Sequence, residues 1–231
     1  KSTWREYVES IGLAVLIAIV LRGCVLEAFK IPSGSMLPTL KVGDRIFVNK
    51  FIYGIKDPVK GLVVIPVTDP APGDVVVFTS PEEFQTDGEE PRDFIKRVVA
   101  VAGDEIELRD NILYINHEAV PRREVGQYSY KKTTETDAGI ETGPAVETTE
   151  YIETMSKTDH PVILHSFSPD AVKIFGPRIV PEGNVWVMGD NRDDSADSRF
   201  WKNGGFLPLT KIKGRAMMVW WSHDADGHIR W

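Results

Sequence analysis

The sequence predicts a predominantly β fold preceded by one apolar N-terminal helix. Three observations carry this. The only long unbroken apolar run lies at the start, Ile11 to Leu21, reading IGLAVLIAIVL. From Ile31 onward the apolar residues come in short runs bounded by Gly, Pro and Asp. Nowhere after the first run does a helical period persist, whereas β-branched runs set off by turn residues recur to the end of the chain.

The N-terminal run is the first element. A membrane-spanning helix needs ~20 mostly apolar residues, so the run must extend from Tyr7 to Phe29 to qualify. That extension admits Glu9, Arg22 and Glu27, which stand near the ends where long side chains reach the headgroups. A cleaved leader would show a small-x-small pattern after the run, and none follows. A buried core helix is the other alternative. Cys24 follows Leu21-Arg22-Gly23, where the arginine is wrong for a lipidation signal. A single membrane anchor is the reading adopted. Lys1 and Arg5 place the start of the chain in the cytoplasm, against the weaker pull of Arg22, so residues from about Ile31 onward lie outside.

Next come short strands. Gly43-Asp44, Gly73-Asp74 and Gly103-Asp104 each precede a strand-like run, at Arg45 to Asn49, Val75 to Phe78 and Glu105 to Leu108. The segments between them do not resemble each other, so no repeat is inferred. Phe94 to Ala102, Asn111 to Ile115 and Val185 to Met188 read as further strands. Thr133 to Thr158 is rich in Thr and Glu with few large apolar groups, and His160 to Phe175 regains strand character. Residues 121–177 are therefore expected to form an inserted smaller β subdomain with an acidic, mobile stretch that takes no part in chemistry. Residues 1–29 are the tail and anchor helix, and residues 30–120 with 178–231 are the main β domain. The final strand, Arg215 to Ser222, carries Met217, Met218, Trp220 and Trp221, which are expected to pack in the core.

Composition excludes several classes of function. The 231 residues carry a net charge of -7, with no basic face for nucleic acid. One cysteine precludes an internal disulfide, and His117, His160, His165, His223 and His228 show no metal-ligand spacing. Neither a metal nor a cofactor is expected.

Three segments can carry chemistry. In IPSGSMLPTL, Ile31 to Leu40, Gly34 relaxes the backbone while Pro32 and Pro38 fix it, so one serine hydroxyl of Ser33-Gly34-Ser35 can be presented outward. Taken alone, such a turn does no more than reverse the chain. A serine nucleophile needs a base, and no histidine stands in a segment that resembles a site. Lys96 lies in DFIKRVV among bulky apolar residues. Desolvation there, helped by Arg97 if the two charges are close, can lower an amine that ordinarily titrates near 10.4. Strand alternation alone would point it to solvent. The third segment, Gly189 to Arg199 (GDNRDDSADSR), is a polar loop able to orient its neighbours. Arg192 stands where a calcium loop needs a ligand, which leaves a hydrogen-bonded turn as the plain alternative.

Together, IPSGSMLPTL, VGDRIFVNKFIYG, GDVVVF, DFIKRVVAVAGD and GDNRDDSADSR, in that order behind an anchor, resemble the bacterial type I signal peptidases. The resemblance spans most of the chain apart from the insertion. It implies a Ser/Lys dyad, with Ser35 as nucleophile and Lys96 as general base. It also implies an oxyanion hole from the Ser33 hydroxyl and the Ser35 amide, and a lysine-positioning role for Ser195. Arg97, Asp197 and Arg199 match supporting positions. Phe29, Ile31, Pro32, Met36, Leu40, Phe94 and Ile95 match or adjoin the lining of shallow pockets for small side chains, hence an Ala-x-Ala preference. The implied activity is removal of signal peptides from secretory preproteins at the outer, periplasmic side of the bacterial inner membrane. The lipid bilayer is then the support, with the export machinery as a possible neighbour. Phe94 departs from a frequent tyrosine, Asp194 from a frequent asparagine, and Lys202-Asn203-Gly204 lengthens a turn. Two alternatives are a cytosolic self-cleaving Ser/Lys protease of the repressor type and a catalytically silent, membrane-tethered β module that binds preproteins or envelope partners. The anchor and the lack of a DNA-binding helix pair oppose the first, and the presence of both dyad residues opposes the second.

Overall fold

The computed structural model describes residues 3–20, 26–56, 63–81, 91–136, 139–165, 174–223 and 228–230. Helix α1 covers Thr3–Val20. Among the described residues no helix is long and apolar enough to cross a membrane. The extension of the helix to Phe29 is corrected, because the chain is already a strand at Leu26, where five successive residues pair with Arg45 to Asn49.

In chain order the strands are β1 (Leu26–Lys30), β2 (Arg45–Asn49), β3 (Ile55–Lys56), β4 (Val63–Ile65), β5 (Val75–Thr79), β6 (Asp93–Val101), β7 (Glu105–Arg109), β8 (Ile112–Ile115), β9 (Glu118–Ala119), β10 (Arg122–Thr136), β11 (Gly139–Met155), β12 (Thr158–His165), β13 (Ile174–Ile179), β14 (Asn184–Met188), β15 (Leu207–Pro208) and β16 (Ile212–Trp221). All the strand pairings are antiparallel. A seven-stranded sheet has the order β1-β2-β16-β5-β6-β14-β15. A four-stranded sheet runs β13-β7-β8-β9, a three-stranded one β10-β11-β12, and β3 pairs with β4. The β-rich expectation is met.

The three Gly-Asp pairs build the same turn three times. In Lys41 to Asp44, Ala71 to Asp74 and Val101 to Asp104, the aspartate N–H donates to the carbonyl three residues back at 3.0 Å. Its Oδ2 accepts the first residue's N–H at 2.8 to 3.1 Å. The glycines take φ of 89°, 102° and 89°, which side chains resist.

Strand β5 is buried on both faces. Val76 and Phe78 join Val98, Val187 and Trp201 in one core cluster, while Val77 joins Ile31, Met36, Ile46 and Ile95 in another. That explains its unbroken apolar run. Strand β6 is likewise buried from Ile95 to Ala100, so alternation does not send Lys96 to solvent. One expectation fails. Met217, Met218, Trp220 and Trp221 are 55, 60, 41 and 41% exposed rather than packed in the core. Strand β5 accompanies β16 only through Arg215, and beyond that β16 has β2 alone on one edge. In the stretch Thr133 to Thr158 the described residues form two long paired strands. Their cohesion comes from the backbone ladder, which needs no large apolar side chains.

Candidate active site

The turn after β1 is fixed at its start by Ile31 N–H donating to Asp44 O at 2.8 Å and Gly43 N–H donating to Ile31 O at 2.9 Å. Met36 and Leu40 are buried beneath it with Ile46, Val48 and Val77. They support the turn from behind and do not line the cleft, unlike Phe29, Ile31, Pro32, Phe94 and Ile95, which do. Packing the apolar residues inward leaves Ser33, Gly34 and Ser35 facing a cleft of about 690 Å³.

Lys96 reaches Ser35 across 61 residues of sequence, with Nζ 2.7 Å from Ser35 Oγ and 2.9 Å from Ile95 O. The lysine is only 4% exposed. Burial pushes its amine down to about 8. The Asp197 and Asp190 carboxylates oppose that, while Arg199 adds to it. Arg97 was expected to help, but its charge is taken up by Asp190. Arg97 Nε and Nη2 donate to Asp190 at 2.8 and 2.6 Å, and Nη1 donates to Gly73 O at 2.7 Å. The Ser33 hydroxyl lies 3.5 Å from Ser35 Oγ. The Ser35 N–H makes no backbone hydrogen bond among the described residues.

The polar loop grips the serine turn through Asn191. Its N–H donates to Ser35 O and its Nδ2 to Gly34 O, each at 3.1 Å. The same Nδ2 is 3.0 Å from Tyr130 Oη on β10. Arg192 makes a paired contact with Glu153 of β11 at 2.8 and 2.6 Å, both side chains buried. Asp197 takes Arg199 in a bidentate contact, with both bonds 2.8 Å long, and accepts the Gly189 N–H at 3.0 Å. Burial alone would raise that carboxyl, but Arg199 and these hydrogen bonds outweigh it and hold the group below the usual carboxylate range. Ser195 is buried beside Asp197, whose ionised form it favours. Its hydroxyl makes no well-formed hydrogen bond among the described residues and none to Lys96. Among the described residues no cluster of His, Cys, Asp or Glu is arranged to hold a metal ion.

Sequence reasoning missed Tyr130, Glu153, Asn191 and Asp190, and it did not place the insertion beside the cleft. Tyr130, Lys132 and Thr133 line the cleft. Asn191 and Asp190 sit inside the quoted loop, whereas nothing local marks Glu153 or Tyr130.

Gly189 shows how tightly the loop and turn are fitted. A Cβ there would stand 2.3 Å from Ser195 Oγ and 2.5 Å from Ser35 O. Gly189→Ala must displace the backbone that carries Ser35. A shift on the order of 1 Å costs roughly 100-fold in turnover, so kcat should fall by about that factor with KM little changed. Steady-state kinetics check this, and a wild-type kcat would show that the displacement does not reach Ser35.

The family profile described as "Signal peptidase, peptidase S26" matches residues 4–221. A signal peptidase I of Pseudomonas aeruginosa strain PAO1 is 38% identical over 225 residues, covering 94% of this chain and 72% of that one. One from Pseudomonas fluorescens is 38% identical over 234 residues, covering 97% and 75%. A solved signal peptidase I from Enterococcus faecalis V583 superposes with a TM-score of 0.35 at 22% identity, covering 65% of this chain and 98% of that one. With its profile match running nearly end to end, and with relatives this similar, the chain belongs to the signal peptidase family, peptidase S26.

Proposed function

We propose that this protein is a signal peptidase I that cleaves secretory preproteins with Ser35 as nucleophile and Lys96 as general base. The observation that carries this is the 2.7 Å contact between the Ser35 hydroxyl and an amine that burial brings down to about 8, so that a working fraction of it is neutral near physiological pH. With the amine neutral, the hydroxyl proton points at Nζ. As Oγ bonds to the scissile carbonyl carbon, that proton passes to Lys96. The carbonyl oxygen takes the charge, against the Ser35 N–H and the Ser33 hydroxyl. Lys96 then gives its proton to the leaving amine as the C–N bond breaks. A water deprotonated by the same lysine hydrolyses the acyl-enzyme and restores Ser35. Ser195, Asp197 and Arg199 act from behind, setting the polarity around the amine.

The sheet supports an extended substrate. Strand β1 is an edge strand. Strand β14 pairs with β6 only from Arg97 onward, which leaves that edge of Asp93 to Lys96 without a strand partner among the described residues. A peptide laid between these edges gains backbone hydrogen bonds and presents alternate side chains to Ile31, Phe94 and Ile95. Such shallow apolar walls accept small residues, consistent with Ala-x-Ala cleavage.

The membrane placement belongs to the same proposal. Ile11 and Leu13 of α1 are exposed, as are Met218 and Trp220 of β16. An apolar helix that holds the protein at the inner membrane, with the β domain on the periplasmic side, gives these surfaces a partner and raises encounters with membrane-held preproteins. The test uses the full chain in detergent. Cleavage of a preprotein after Ala-x-Ala, with a serine-directed acylating probe on Ser35, is expected. Failure of both would favour a silent binding module, which the complete buried dyad opposes.

A further inference from the structure

The cleft has two unlike ends. The more apolar one carries Phe29, Ile31, Phe94 and Ile95, whose sequence neighbours Lys30, Arg92 and Asp93 also line the cleft. The other is built by the insertion and the polar loop, through Tyr130, Lys132, Thr133 and Asp194. The dyad stands where they meet. Ile95 adjoins Lys96 in sequence, and Tyr130 reaches the nucleophile's turn through Asn191 and Gly34 O. If the apolar end holds the acyl side of the scissile bond, as the proposed function requires, the departing segment runs along the polar end.

A bulge lies in this wall. Lys131 pairs with Ala145, and the next pair is Thr133 with Thr142, so Gly143 and Pro144 of the facing strand together stand against Lys132. Pro144 has no N–H to give the ladder. At this irregularity Lys132 and Thr133 both line the cleft. Lys132 Nζ then meets Asp194 Oδ1 at 2.7 Å, and Tyr130 Oη meets Asp194 Oδ2 at 3.4 Å. Both carboxylate oxygens are thus occupied. The ammonium has three donors and uses one here, on a side chain that is 58% exposed. What remains open at this wall is positive charge with unused N–H groups.

We infer that Lys132, held by Asp194, is a specificity-determining residue that reads the first residues after the scissile bond and favours an acidic side chain there. The inference deepens the proposed function and rests on it. Three preproteins identical except for Glu, Ala or Lys at the second position after the cleaved bond are assayed with the full-length wild type, Lys132→Ala, Lys132→Glu and Lys131→Glu. Lys131 neighbours Lys132 but lines a separate groove, so its reversal controls for net charge. The wild type should cleave the Glu substrate faster than the Lys substrate. Lys132→Ala should remove most of that preference, and Lys132→Glu should change the ratio of kcat/KM values by about fivefold or more, as an exposed ion pair turned to repulsion does. Lys131→Glu should leave the ratio unchanged. An unaltered ratio in Lys132→Glu, or an equal shift in Lys131→Glu, overturns the inference while cleavage itself stands. No cleavage of any substrate by the wild type overturns the proposed function and this inference with it.

Discussion

Lys96→Ala should cut preprotein turnover by about 10⁴-fold, the upper range for a general base, and Ser35→Ala by about 10⁶-fold, with substrate affinity nearly retained in both. The losses should not add in the double variant, because the residues act as one unit. Burial brings the lysine down to about 8, so its neutral fraction, and with it kcat/KM, should rise about tenfold between pH 7 and pH 9. A flat profile over that range would refute the role of Lys96 even if Ser35→Ala were dead. The same titration affects stability. In the unfolded chain the amine keeps its ordinary value of 10.5, and in the folded protein it is about 8. The cost of burying the charge is therefore fully present below pH 8 and disappears as the pH rises to 10.5. Lys96→Met removes on the order of 3 kcal/mol of that cost at pH 7, against about 1 kcal/mol for each of two lost hydrogen bonds. The variant should be inactive yet unfold at higher denaturant than the wild type at pH 7, with the gain lost near pH 10.5.

What the sequence disclosed and what it hid differ in range. The strands after Gly43, Gly73 and Gly103 were legible because a glycine at positive φ followed by an aspartate is a local signal, completed within four residues. The Ser35 and Lys96 segments were legible as segments, but the bond between them spans the fold and only the chain's path closes it. The exposure of Met217, Met218, Trp220 and Trp221 was misread because apolar composition does not reveal that β5 leaves β16 at Arg215. The insertion's place beside the cleft was hidden for the same reason. Its acidic, Thr-rich strands look inert until Glu153 is seen inside the protein against Arg192, where an ion pair across 39 residues ties it to the polar loop. Arg97 misled in the opposite way, because a neighbour of Lys96 in sequence turned out to spend its charge on Asp190.

That last pair carries the largest expected effect on stability. The side chains of Arg97 and Asp190 are 7 and 1% exposed. Thr39 Oγ1 donates to the same carboxylate at 2.5 Å, so Asp190 holds β6, the serine turn and the polar loop together. Asp190→Ala strands a buried guanidinium and should cost about 3 to 5 kcal/mol, lowering Tm by about 10 °C. Activity should fall more steeply than folding, because Asp190 immediately precedes Asn191, which grips Ser35 and Gly34. Replacing both partners with apolar residues, Arg97→Met with Asp190→Leu, removes the stranded charge and should recover most of the lost stability, but it does not restore the grip on the turn. A double variant as stable as wild type and still slow would assign the pair to positioning rather than to holding the fold. One that regains stability and turnover together would show that Asn191 keeps its place without Asp190, leaving the grip to the loop backbone alone.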